Sequence, residues 1–258
     1  MYSTLTPDHD IVVVGSGFAG LGMAIRLQQE GRTDLLVLEQ GDSVGGTWRD
    51  NDYPGCACDV PSHLYSFSFA QNPDWSRTFS PQAEIRDYIE RTADQFGMRE
   101  KIRFNSRLTA ATWDEDARLW RLEVNGGETT VTARVVIGGL GPLNRPSYPN
   151  VAGRDDFAGT AFHSMHWDHN HDLRGKRVAV IGTGASAIQF IPEVAKDAAA
   201  VDVYQRTAPW VLPKPDRPVR PRVRALFRHV PGLLSAYRAW IYARLEARVI
   251  AFDHPRFA

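Results

Sequence analysis

The chain has 258 residues, 43% of them hydrophobic and 23% charged, with 30 basic side chains set against 30 acidic ones. That balance is ordinary for a globular protein and argues against nucleic acid or an anionic membrane surface as partner. Its two cysteines, Cys56 and Cys58, stand one residue apart, a spacing that suits neither a C-x-x-C redox pair nor a disulfide framework.

So little cysteine points to a reducing compartment. The short polar stretch Met1 to Asp10 has no basic region followed by an apolar core, and no apolar run approaches the length of a membrane span. The expectation is a cytoplasmic protein that does not use a membrane as its partner.

The first informative stretch runs from Ile11 to Glu39. Ile11-Val12-Val13-Val14 reads as a buried parallel strand. Gly15-Ser16-Gly17-Phe18-Ala19-Gly20 follows and opens an amphipathic run to Gln29, and Leu35 to Glu39 forms a second apolar strand ending in an acid. Glycines at that spacing serve a tight turn, close approach of backbone to a pyrophosphate, and close helix–strand packing. The helix presents its N-terminal amides to phosphate, and an acid about twenty residues on accepts ribose hydroxyls. Gly15, Gly17, Phe18, Ala19, Gly20 and Glu39 are therefore the candidate contacts of a first adenine dinucleotide.

After Glu39 comes an aperiodic stretch, Gly45 to Asp59, rich in glycine, proline and acids. A long loop leaving the carboxyl end of a strand in an α/β sheet is a functional candidate. His63 to Phe69 carries an aromatic cluster that reads as core, with a cofactor wall as the alternative. Ser80 and Pro81 open a helix reaching about Phe96. Three strand-like runs follow, Ile102 to Leu108, Leu119 to Val124 and Thr129 to Ile137, with a hairpin signal at Asn125-Gly126. Pro142 to Gly153 reads as an extended linker.

Arg177 to Ile181 then leads into Gly182-Thr183-Gly184-Ala185-Ser186-Ala187, a second strand–turn–helix with Gln189 one step further on. The next strand, Ala200 to Tyr204, ends in Gln205-Arg206-Thr207 rather than in an acid. An arginine beside a hydroxyl binds a 2′-phosphate that an acid would repel. The second site is thus expected to hold NADP through Gly182, Thr183, Gly184, Ala185, Ser186, Ala187, Gln189, Arg206 and Thr207, while the first suits FAD. Hydride would pass from nicotinamide to flavin.

Between the two turns stands Phe157-Ala158-Gly159-Thr160-Ala161-Phe162-His163-Ser164-Met165-His166-Trp167-Asp168. It matches F-x-G-x-x-x-H-x-x-x-W-[PD], the signature of Baeyer-Villiger monooxygenases, and Gly46-x-Trp48 … Tyr53-Pro54-Gly55 … Asp59 matches that family's second signature. The chain resembles this family from Asp10 to about Pro213, closest to the hydroxyacetophenone and phenylacetone monooxygenase branch. The resemblance implies an NADPH-dependent, FAD-containing monooxygenase that inserts one oxygen atom of O2 beside a ketone carbonyl through a flavin C4a peroxide. It also places Gly46, Thr47, Trp48, Asp59 and Tyr65 on the flavin side, and implies that Asp59 acts catalytically by orienting an arginine. Phe157, Gly159, His163, Trp167 and Asp168 form the linker signature, with His163 an anchor of the linker. The histidines here follow no zinc-site spacing, so no metal is expected.

The expected architecture is α/β: a FAD-binding Rossmann-like domain over 1–145 with an antiparallel excursion, a linker over 146–174, and an incomplete NADP-binding domain over 175–258. A basic helical insertion is expected over 219–251, broken at Pro231-Gly232 and packed on its own protein. Relatives run to about twice this length and carry the catalytic arginine beyond the stretch matched here. The chain therefore reads as an N-terminal portion whose own catalysis is in doubt. Oxygenation of a sulfide or an amine, or a nucleotide-binding fragment without activity, are the alternatives. A disulfide reductase is disfavoured by the missing C-x-x-C.

Overall fold

The computed structural model describes residues 6–247. They form two compact units, one built from the described residues up to Asp52 together with Arg86–Asp168, the other from Tyr53–Ile85 together with the described residues from His169 onward.

The first unit is a six-stranded sheet in the order β3-β2-β1-β6-β5-β4. Its parallel half comprises β1 (His9–Val14), β2 (Leu35–Leu38), β3 (Ile102–Arg103) and β6 (Thr129–Gly138). The antiparallel half adds β4 (Leu108–Asp114) and β5 (Leu119–Val124), with Val124 paired to Thr129 across the loop that Asn125-Gly126 opens. The expected excursion and return to the sheet are both present. Val12, Val14, Leu36, Leu38, Leu122, Val124, Val131 and Ala133 form one buried cluster along the sheet. Each such fully buried Val or Leu contributes ~1.5–3 kcal/mol of transfer free energy. Helix α1 (Phe18–Gln29) buries Gly20, Leu21, Ala24 and Ile25, the helical spacing expected of one apolar face.

One strand differs from expectation. The run Ile102 to Leu108 is not continuous, because the chain leaves β3 after Arg103 and resumes as β4 at Leu108. In between, Asn105 takes a positive φ of 51°. Its N–H bonds the Gly41 carbonyl at 2.9 Å, and the Ser106 N–H bonds the Glu39 carbonyl at 2.8 Å. Carbonyls leaving β2 thus capture these amides, and the strand breaks there.

The second unit carries β7 (Arg177–Ile181) and β8 (Ala200–Tyr204) as a parallel pair, with α4 (Ala187–Val194) between them. Helix α3 (Gln82–Gln95) starts later than Ser80-Pro81 suggested. Ser80 is instead engaged with the Ser62 hydroxyl at 2.8 Å, and Pro81 bridges Ala57. The basic run folds as α5 (Pro221–His229) and α6 (Leu233–Glu246), separated at Gly232 with φ 77°. Residues 248–251 of the expected insertion lie outside the described residues. Helix α6 buries Leu234 and Ile241, and Arg238 donates to the His63 carbonyl at 3.1 Å and to Ser66 Oγ at 3.0 Å. The helices therefore pack on the aromatic segment of their own unit. Among the described residues no helix is long and apolar enough to cross a membrane.

Candidate functional site

The first glycine turn is set by backbone contact. Gly15 has φ +96°, a conformation that side chains resist. A Cβ on Gly20 would lie 1.8 Å from the Gly15 carbonyl oxygen, so α1 can sit directly on the turn only with glycine there. The Gly139 N–H bonds the Val14 carbonyl at 2.8 Å, which brings the exit of β6 onto the same turn. The loop after β2 closes over it too, for the Gly45 N–H bonds the Ser16 carbonyl at 3.2 Å and a Cβ on Gly46 would stand 3.0 Å from Gly17 Cα. Helix α1 begins at Phe18 with Ala19 exposed beside it, and its first-turn N–H groups have no intrahelical acceptor. Phe18 stacks on Tyr88 at 6.1 Å. The short helix α2 (Thr47–Asp50) starts at Thr47 and buries Trp48.

Glu39, 3% exposed, lies at the end of β2. One carboxylate oxygen accepts from the Ser16 N–H at 2.8 Å and the Ser16 hydroxyl at 2.7 Å. The other accepts from the Gly41 N–H and from Arg49 Nη1, both at 2.8 Å. Burial pushes its pKa up, but the donors from Gly41, Ser16 and Arg49 outweigh burial and hold the carboxyl below its usual range. Four donors fill the about four lone-pair positions of a carboxylate. A ribose hydroxyl can reach Glu39 when the Ser16 hydroxyl rotates to release one of them, so acid and serine act as a unit. Ionised acid, rotatable hydroxyl and a backbone cradle without side chains fit the adenosine end of a dinucleotide. Ser16, Gly41 and Arg49 were not singled out from sequence. The signal was there for Ser16, which lies inside the glycine turn, but nothing in the spacing marks Arg49.

The second turn is built similarly. Gly182 has φ +111°, its N–H bonds the Tyr204 carbonyl at 3.0 Å, and nothing stands within 4 Å of a Cβ built on Gly184. Thr183, Gly184, Ala185 and Ser186 lead into α4, where Ala187 is buried. Arg206 and Thr207 are exposed just beyond β8, and the Gln205 amide donates to the Thr207 carbonyl at 3.4 Å. Gln189 faces elsewhere in the same unit, with its side-chain amide on Ala57 and the Tyr53 hydroxyl.

Tyr53 is 7% exposed and burial pushes its phenol up to about 12. Asp59 is exposed, two residues beyond Ala57, and next to it burial raises the Cys58 thiol to about 11. Tyr65 is half-buried in the turn after Pro61, where its N–H bonds the Pro61 carbonyl at 3.0 Å. His63 is 5% exposed, with its ring edge-on to Phe227 at 5.0 Å and to Tyr237 at 5.4 Å. Burial drops its pKa to about 4. Of the segment His63 to Phe69 only His63 and Ser66 are buried, whereas Leu64, Tyr65, Phe67 and Phe69 are half-buried, so the expectation of core holds for the histidine and not for the aromatic side chains.

In the linker signature the Phe157 ring is 64% exposed and lies over Gly159, where a Cβ would meet ring carbon at 2.5 Å. His163 Nδ1 accepts from the Met165 N–H at 3.1 Å, capping the helical turn Ser164–His166. Trp167 packs edge-on to Phe162 at 5.3 Å. The signature ends at Asp168, where the chain passes into the second unit.

A family model described as pyridine nucleotide-disulphide oxidoreductase matches residues 12–240. The chain is 51% identical over 242 residues to a protein of Pseudomonas aeruginosa named Baeyer-Villiger monooxygenase, covering 94% of this chain and 46% of that relative. It is 51% identical over 246 residues to one of the same name from Streptomyces coelicolor, covering 95% and 47%. Among solved structures it resembles OTEMO in complex with FAD and NADP, with TM-score 0.82, 37% identity, and 90% of this chain matched to 45% of that one. A closed cyclohexanone monooxygenase matches with TM-score 0.80 at 34% identity, covering 87% and 43%. The chain thus spans about half the length of the curated relatives it matches.

Proposed function

The chain belongs to the pyridine nucleotide-disulphide oxidoreductase family, and from that premise we propose that it supplies the FAD and NADPH sites of a Baeyer-Villiger monooxygenase. The overall reaction joins a ketone, O2, NADPH and a proton to give an ester or lactone, water and NADP+. One oxygen atom enters beside the carbonyl, and the two electrons from NADPH leave with the other as water.

One observation carries this reading. Two strand–glycine–helix turns stand in one chain, one followed by a buried anionic acid, Glu39, and the other by an exposed cation, Arg206. An ionised carboxylate accepts ribose hydroxyls and repels a 2′-phosphate, whereas a guanidinium binds that phosphate. Flavin, when bound, supplies the oxygen-activating chemistry. Gly15, Gly17 and Gly20 let backbone approach the pyrophosphate, with the α1 amides facing it. Ser16 and Glu39 hold the ribose, while Gly46, Thr47 and Trp48 close the loop over the turn. Residues Gly182 to Ala187 take the second pyrophosphate, and Arg206 with Thr207 the 2′-phosphate. Asp59 is assigned to orient the arginine that relatives carry beyond the stretch matched here, where negative charge develops on the carbonyl oxygen, and His163 steadies the linker. The relatives' names and the FAD and NADP in the OTEMO complex support this assignment.

The test is reduction of the FAD-loaded protein by NADPH and by NADH without oxygen. Faster reduction by NADPH than by NADH is the expected result, while ester formation also needs the arginine that relatives carry beyond the stretch matched here. No reduction by either nucleotide would refute the reading.

A further inference from the structure

The segment Tyr53 to Ala57 is held to the first turn of α4 at several points. Gln189 Oε1 accepts the Ala57 N–H at 3.2 Å, and Gln189 Nε2 donates to the Ala57 carbonyl at 2.9 Å. A side-chain amide paired with both backbone groups of one residue is specific in position, since a shift of either partner breaks both bonds. The Tyr53 hydroxyl donates to the same Oε1 at 3.2 Å, and the Ser186 and Cys56 side chains are its further partners. The backbones touch as well: Gly55 has φ +77°, and a Cβ there would stand 2.7 Å from the Gln189 carbonyl oxygen. The Tyr53 ring packs edge-on to Phe190 at 6.0 Å.

Ser186 belongs to the second glycine turn, and Asp59 follows Ala57 by two residues. The contacts therefore join the turn proposed to take NADP to the segment carrying the proposed catalytic acid. Gln189 Oε1 is already committed to two donors, so its acceptor is not presented to a nucleotide. We infer that Gln189 and Tyr53 are positioning residues that couple occupancy of the second nucleotide turn to the placement of the Asp59 segment. The inference rests on the two-site reading above.

Backbone amide exchange tests it on the intact chain, with the wild type, Gln189→Ala and Tyr53→Phe each followed with and without NADP+. In the wild type, NADP+ slows exchange across 53–60 as well as 182–190. In each variant NADP+ binds within about threefold of wild-type affinity, as a residue without direct contact allows, while protection of 53–60 no longer responds. Tyr53→Phe keeps the ring packing, so it decides the matter if Gln189→Ala fails to fold. Binding of NADP+ to the wild type without protection of 53–60 would overturn the coupling alone. An affinity loss beyond about tenfold in Gln189→Ala, with the loop still responding, would make Gln189 a nucleotide ligand instead. A wild type that binds no NADP+ would refute the two-site reading and the coupling with it.

Discussion

Arg49 donates to Glu39 across 2.8 Å, and the two side chains are only 12% and 3% exposed. The guanidinium also donates to the Ser43 carbonyl at 2.6 Å and to Asp50 at 2.7 Å. This ion pair makes a buried, ionised acid tolerable at the mouth of the first glycine turn.

Removing the cation leaves the carboxylate buried and uncompensated, a change that costs about 3–5 kcal/mol. Arg49→Met should lose stability of that order in denaturant titration, together with FAD affinity. Glu39 has a lowered folded pKa, so its contribution is present above the unfolded value of 4.5 and is lost as pH falls through the folded value. Glu39→Gln should therefore flatten the acid limb of the stability curve. An unchanged acid limb would count against the ionised assignment.

His63 gives a dependence of opposite origin. Its folded pKa is about 4 against 6.5 in the unfolded chain, because the aromatic surroundings penalise the charged ring. Between those values the unfolded chain binds more protons, so stability rises with pH and is complete above 6.5. The groups beside the ring are Phe227 and Tyr237, and Arg238 reaches only its carbonyl. His63→Gln should lessen the slope between pH 4 and 6.5 in thermal melts.

The two glycine turns should respond differently to a methyl group. At Gly20 a Cβ would collide with the Gly15 carbonyl at 1.8 Å, backbone that cannot step aside. Gly20→Ala should cost ~1–3 kcal/mol or more, as overpacking does, and abolish FAD binding. Nothing lies within 4 Å of the same atom at Gly184. Gly184→Ala should leave stability within about 0.5 kcal/mol, as open surface sites do, and weaken only the nucleotide that approaches that backbone. Calorimetric melts of both variants, with and without nucleotide, check the contrast.

At the second site, Arg206→Ala should weaken NADPH by about 1.5–3 kcal/mol, the range for a hydrogen bond to a charged group. NADH should change little, and equal losses for both would remove the 2′-phosphate assignment.

Much of this was legible because local pattern and tertiary role coincide. The β-branched run before Gly15, the glycines themselves and the acid closing β2 each report on a single backbone path. Pro231-Gly232 marked the break between α5 and α6 for the same reason. What stayed hidden depends on partners distant in sequence. Ser106 bonds Glu39 and splits an apparent strand, Arg49 completes a carboxylate's shell, and Gln189 turns to Ala57. No periodicity encodes these meetings, since each is decided by which carbonyl or amide the folded chain brings near.

The most direct measurement is nucleotide stoichiometry on this chain, by calorimetric titration of FAD and then of NADP+ into the FAD-loaded protein. The central claim predicts one FAD and one NADP+ per chain, each binding with the other present, with NADP+ bound more tightly than NAD+. Competition between FAD and NADP+ for a single site, or no binding of either, would contradict it.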